Sequence, residues 1–156
     1  MGKELSEGDD APDFALPADG GGRVRLSDLR GKAVVLYFYP KDDTSGCTAE
    51  AIDFNALRRE FAAAGAAIIG VSPDNAASHA KFKKKHELDL TLAADPGRQA
   101  IEAYDVWKEK SMYGRKYFGV ERSTFLIDRA GRIAKIWRKV KVPGHAQEAL
   151  TAAKAL

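Results

Sequence analysis

Apolar residues in this chain gather into two kinds of run. Ala33-Val34-Val35-Leu36-Tyr37-Phe38-Tyr39 is unbroken and rich in β-branched and aromatic side chains, which predicts a strand covered on both faces of a parallel sheet. Ala66 to Val71 repeats the pattern. Between them Phe54, Leu57 and Phe61 recur at helical spacing, while Glu50, Asp53, Arg58, Arg59 and Glu60 mostly take the remaining surface. One amphipathic helix is therefore expected from Cys47 to Ala64, stopped by Gly65. Strand, helix, strand in this order predicts a right-handed parallel crossover. Upstream, the turn cluster Asp19-Gly20-Gly21-Gly22 separates two short apolar-containing stretches and reads as a hairpin. Downstream come a polar helix around Ala76 to His86, a short strand at Leu90-Thr91-Leu92, and a helix to Tyr104 with Asp95 as N-cap and Pro96 in its first turn. Lys108 to Gly119 shows no regular period. Thr124 to Asp128 and Arg132 to Trp137 form a hairpin through Arg129-Ala130-Gly131, and Ala146 to Leu156 closes the chain as a helix.

The order β-α-β, a helical intermission, then β-β-α is the plan of the thioredoxin fold. This is an α/β class with a central mixed sheet flanked by helices, here preceded by an N-terminal β-hairpin extension. No repeat, linker or low-complexity tract divides the 156 residues, so residues 1–156 are expected to form one domain. Twenty-five basic and 22 acidic residues leave a net charge of only +3, which gives no reason to expect nucleic-acid binding. Lys81-Phe82-Lys83-Lys84-Lys85-His86 reads instead as a solvated helix face balanced by nearby acids. No apolar stretch is long enough for a membrane span, and Met1 to Asp10 is polar and acidic, so a cytoplasmic location is expected. His79, His86 and His145 are scattered and share no metal-ligand spacing with the single cysteine; no metal or other cofactor is expected.

That cysteine, Cys47, changes the picture. It lies in Pro40-Lys41-Asp42-Asp43-Thr44-Ser45-Gly46-Cys47-Thr48, between the first buried strand and the following helix. A thiol at a helix start feels the unpaired amides there, which favour the nucleophilic thiolate. A lone cysteine excludes both an internal disulfide and a Cys-x-x-Cys redox pair. A free thiol with a pKa of about 8.5 is only a few per cent ionised at pH 7, and a helix end supplies only about 0.3–1 kcal/mol. A reactive cysteine at this place therefore needs a permanent cation, and arginine, always charged and forked, suits the task.

The stretch Tyr37 to Thr48, with its Pro-x-x-x-Thr-x-x-Cys spacing, resembles the peroxiredoxin signature. Ala11-Pro12-Asp13-Phe14, Leu26-Ser27-Asp28-Leu29, Trp107-Lys108-Glu109-Lys110 running to Tyr113-Gly114, and Arg122-Ser123-Thr124-Phe125-Leu126-Ile127-Asp128 are similar to the bacterioferritin-comigratory, or PrxQ, branch of that family. The resemblance implies a thiol-dependent peroxidase that reduces hydrogen peroxide and organic hydroperoxides. It implies Cys47 as the peroxidatic residue, Pro40 as its shield from solvent, Thr44 as a hydrogen-bonding partner of the peroxide, and Arg122 as support for both thiolate and substrate. Glu50, three residues after Cys47, is placed to orient Arg122. Many members of the branch carry a second cysteine five positions after the first; here that residue is Ile52. The expectation is a one-cysteine cycle, in which a sulfenic acid on Cys47 is resolved by an external thiol: thioredoxin, glutaredoxin or a small molecule. The branch also implies a monomer, with a Cys47–Cys47 dimer as the lesser outcome. The alternative from a different class is a peroxide sensor in which oxidised Cys47 signals to a partner with little turnover.

Overall fold

The computed structural model describes residues 4–156; the first three residues of the polar N-terminal stretch lie outside them. The leading hairpin pairs β1 (Ala15–Pro17) with β2 (Arg23–Arg25) antiparallel. The unbroken apolar run becomes β3 (Ala33–Phe38), each of its residues buried. Next come α1 (Ser45–Ala56), α2 (Arg58–Ala63), β4 (Ala66–Ser72), α3 (Ala76–His86), β5 (Thr91–Ala94) and α4 (Gln99–Ala103). The chain ends with β6 (Trp107–Met112), β7 (Arg115–Val120), β8 (Ser123–Ile127), β9 (Ile133–Trp137) and α5 (His145–Lys154).

Five strands form the central sheet in the order β5-β4-β3-β8-β9, parallel among β3, β4 and β5 and antiparallel where β8 and β9 join. This mixed sheet with helices on it is the expected thioredoxin-like class. The run in β3 is continuous because both faces are covered. Val35 and Tyr37 point into a core with Phe54 of α1, Phe61 of α2, Phe82 of α3 and Leu150 of α5. Val34, Leu36 and Phe38 point the other way, onto Phe14 and Leu16 of the N-terminal hairpin, Ile101 of α4 and Val120 of β7. Gly70 in β4 lies opposite Tyr37, and a Cβ there would sit 2.7 Å from the ring, so the glycine makes room for the aromatic side chain.

Three elements differ from the sequence expectation. The single helix from Cys47 to Ala64 is two, broken at Leu57, whose ψ of 4° leaves the α region. The N-cap of α4 is Arg98, not Asp95: Pro96 and Gly97 stay in the turn and the helix starts at Gln99, while the Asp95 carboxylate accepts from the amides of Gln99, Ala100 and Ile101 from outside the helix. Lys108 to Gly119, without a readable period, is an antiparallel ribbon of two six-residue strands, β6 and β7.

Candidate active site

β3 emerges from the buried sheet at Phe38 and hands the chain to a loop, Tyr39 to Thr44, that leads into α1. Thr44 is the N-cap in extended conformation, and Cys47 is the third residue of the helix, in the turn whose amides lack intrahelical acceptors. The thiol is 2 % exposed. Arg122, just before β8 and two residues past the end of β7, reaches across to it: Nη2 donates to Cys47 Sγ at 3.4 Å and Nη1 to Glu50 Oε1 at 2.6 Å. One planar fork thus holds sulfur and carboxylate together. The approach depends on Gly46, where a Cβ would lie 3.1 Å from Nη2.

Glu50 is 1 % exposed, and its second oxygen, Oε2, is buried without a partner. Burial pushes its carboxyl up to about 7, against the opposing pull of Arg122. For Arg122, burial acts downward, and the charges of Glu50 and Cys47 outweigh it and hold the guanidinium above its ordinary value. The Tyr37 hydroxyl beneath the site also lacks a partner; burial first, then the charge of Glu50, holds that phenol far above its ordinary range. Behind the site, His145 Nε2 lies 2.8 Å from Thr124 Oγ1, and burial draws its pKa below the usual value.

The loop is fastened to α3 at two consecutive residues. Asp42 accepts from Tyr39 Oη at 2.6 Å and Ser78 Oγ at 2.7 Å, with His79 Nδ1 at 2.7 Å, while its amide donates to Asp74 Oδ2. Burial would raise the Asp42 carboxyl, but the hydrogen bonds from His79, Tyr39 and Ser78 outweigh it and hold the group below the usual carboxylate range. His79 Nε2 faces the Ala93 carbonyl at 3.0 Å. Both ring nitrogens therefore face acceptors, and the imidazole is held between the Asp42 carboxylate and the Ala93 carbonyl. Asp43, at φ 62°, meets Lys85 at 2.6 Å and His86 at 2.8 Å. The lysine-rich face of α3 is therefore partly a set of tethers, since Lys83 also pairs with Asp19 at 2.6 Å.

Asp42, Asp74 and His79 bring ligand-type atoms within 4.8 Å of one another, a grouping that their spacing in the sequence did not suggest. Those atoms are already engaged: Asp74 Oδ2 accepts from Ser72 Oγ and the Asp42 amide, and His79 is saturated as described. The trio is a self-satisfied hydrogen-bond network.

The structure brings Cys47, Arg122 and Glu50 into direct contact and places Thr44 at the same helix start. The Thr44 hydroxyl donates to the Lys41 carbonyl at 2.9 Å, which leaves its oxygen lone pairs for an incoming O–H. Pro40 is half-buried at the strand exit. Glu50 lies inside, not on the surface that the pattern gave it, because it shares a helix face with Cys47, Ala51 and Phe54. The spacing of those four residues carried that signal. Gly46 and the Asp42–His79 pair had none.

The AhpC/TSA family model matches residues 7–136. The chain is 55% identical over 143 residues to a protein of Bacillus subtilis named peroxiredoxin Bcp, covering 92% of this chain and 91% of that one. Among solved structures, the bacterioferritin comigratory protein of Xanthomonas campestris, described in relation to its alkyl peroxide reduction activity, superposes with a TM-score of 0.87 at 47% identity, over 91% of this chain and 90% of that one. A mutant of PrxQ from Xylella fastidiosa superposes with a TM-score of 0.93 at 41% identity, over 99% and 98%.

Proposed function

The chain belongs to the AhpC/TSA family, in its Bcp/PrxQ peroxiredoxin branch, and from that premise we propose that Cys47 is the peroxidatic residue of a thiol-dependent peroxidase. The carrying observation is the Arg122 fork, 3.4 Å from Cys47 Sγ and 2.6 Å from Glu50, over a helix start opened by Gly46. The cation offsets the cost of a thiolate in a nearly closed site, where the helix end alone falls short. Peroxide enters with its O–H donated to Thr44 and its terminal oxygen toward sulfur. The thiolate attacks that oxygen; an S–O bond forms, the O–O bond breaks, and the departing alkoxide or hydroxide takes a proton. Arg122 N–H groups meet the charge that builds on the leaving oxygen, and Pro40 keeps water from the sulfur. Glu50 orients Arg122 and does not touch the substrate.

Cys47 is then a sulfenic acid, and an external thiol returns it to the thiolate, the one-cysteine cycle. The chain acts as one domain, a cytoplasmic monomer. Peroxide consumption with dithiothreitol as the reductant tests the assignment. Cys47→Ser should abolish turnover, and Arg122→Ala should lower kcat/KM by about 100- to 1,000-fold, the range for losing a donor aimed at developing charge. Arg122→Lys should recover only part, lacking the fork. Near-native activity in either Cys47→Ser or Arg122→Ala overturns the site.

A further inference from the structure

The β6–β7 ribbon stands apart from the central sheet and joins the active site at its base, since Val120 ends β7 and Arg122 follows two residues later. Its register and the alternation of side chains give it two faces. On one, Trp107 stacks on Phe118 at 6.5 Å and Arg98 lies over the indole at 4.6 Å, so the base of this side is tied to the body. On the other, Lys110 pairs with Tyr117 and Met112 with Arg115. That face begins at the site. The Lys110 stem lies along Gly119, and burial together with the charge of Arg122 draws the ammonium below its ordinary pKa, while Cys47 pulls the other way.

The ribbon also collects what a free surface usually avoids. Of six exposed large apolar side chains among the described residues, four are here: Met112 and Tyr117 on this second face, Tyr113 at the tip, 98 % exposed, and Phe118 on the Trp107 side. Lys108, Lys110, Arg115 and Lys116 face a single acid, Glu109, within Trp107–Val120. An apolar strip edged by cations and leading to a 2 % exposed cysteine fits a partner that must bring a group to that cysteine.

We propose that Lys110, Met112, Arg115 and Tyr117, with Tyr113 at the tip, form the docking face for the protein that reduces oxidised Cys47: a dithiol protein whose reactive sulfur sits in an apolar patch rimmed by carboxylates. This rests on the one-cysteine cycle, which leaves the second half of the reaction to another molecule. The partner's thiolate attacks Cys47 sulfur; an S–S bond forms, the S–O bond breaks, and hydroxide leaves as water after taking a proton. The partner's second thiolate then attacks its own sulfur in that bridge, closing the partner's disulfide and expelling the Cys47 thiolate. A two-strand face about 20 Å long suits a small, transient interface.

The test compares reductants on the wild-type chain, Met112→Ser/Tyr117→Ser and Arg115→Glu. With thioredoxin or glutaredoxin, each recycled by its own reducing system, KM for the protein reductant should rise at least tenfold in the variants. It should also rise with ionic strength in the wild type. With dithiothreitol, turnover should be the same in all three. Dithiothreitol turnover falling in parallel, or protein-reductant KM unmoved by the variants, overturns the docking face. So does a wild-type dimer in sedimentation that the variants dissolve, which would give the face to a second copy. A wild type that turns over with dithiothreitol but with neither protein also overturns it and leaves the one-cysteine cycle standing, whereas failure with every thiol removes that cycle itself.

Discussion

Glu50 shows how one side chain sets the terms of this site. Its buried carboxyl is pushed up to about 7 from an ordinary value of 4.5, because desolvation outweighs the ion pair with Arg122. A folded-state pKa above the unfolded one means that the folded chain binds this proton more tightly. The resulting stability is fully present below about 4.5 and is lost as the pH rises through about 7. Roughly 2.5 units at 1.36 kcal/mol each make the swing on the order of 3 kcal/mol. Urea unfolding at pH 5 and pH 8 should therefore show the wild type losing up to about 3 kcal/mol more than Glu50→Gln across that interval. Parallel losses in the two proteins would mean that the carboxyl is not desolvated as described. Cys47 and the need for a cation beside it were legible in a lone thiol at a helix start; that the cation is Arg122 came from the family resemblance, and the structure brings the two to 3.4 Å. The burial of Glu50 was obscured by its charge, since a pattern read from apolar residues assigns acids outward even where helical spacing turns them inward. Gly46 was invisible, because the atom it must accommodate comes from 76 residues further along the chain.

At the scale of elements, the active-site loop depends on α3 for its position. Asp42 and His79 are both buried and 2.7 Å apart, and removing the imidazole leaves the Asp42 carboxylate short of one hydrogen-bond partner in a desolvated place, a loss of about 1–3 kcal/mol. His79→Gln should destabilise the protein by that amount in urea unfolding, and Asp42→Asn/His79→Gln should recover a large part of it by leaving no uncompensated charge. Equal losses in the single and double variants would show that packing, not charge, holds the loop. This tether joins residues 37 positions apart, so no local pattern could display it. The buried strands β3, β4 and β8 were legible because a sheet covered on both faces writes continuous apolar runs. The β6–β7 ribbon was not, since Lys108, Glu109, Lys110 and Ser111 put polar groups on both of its faces and erase the period of two. The break at Leu57 escaped for the opposite reason: Phe54, Leu57 and Phe61 keep helical spacing across it and all pack on the same core.

At the scale of the whole molecule, the fold places one thiol at the active site of a chain that offers no second. Ile52, five positions after Cys47, sits 45 % exposed on α1 and has no redox chemistry. The sulfenic acid on Cys47 then has no thiol within the chain with which to condense. Given one equivalent of peroxide and no added thiol, the wild type should consume it in a single rapid phase. Mass spectrometry should find the chain heavier by one oxygen atom, and the native mass should return after dithiothreitol. The arginine that favours the thiolate also leaves the product exposed to a second attack, so excess peroxide should carry Cys47 on to sulfinic acid and remove the activity irreversibly. A covalent dimer as the main oxidised species would sink this account, because the second thiol would then come from another copy of the chain. Continued turnover without any thiol would sink it equally, since electrons for each new peroxide have no other source among these side chains.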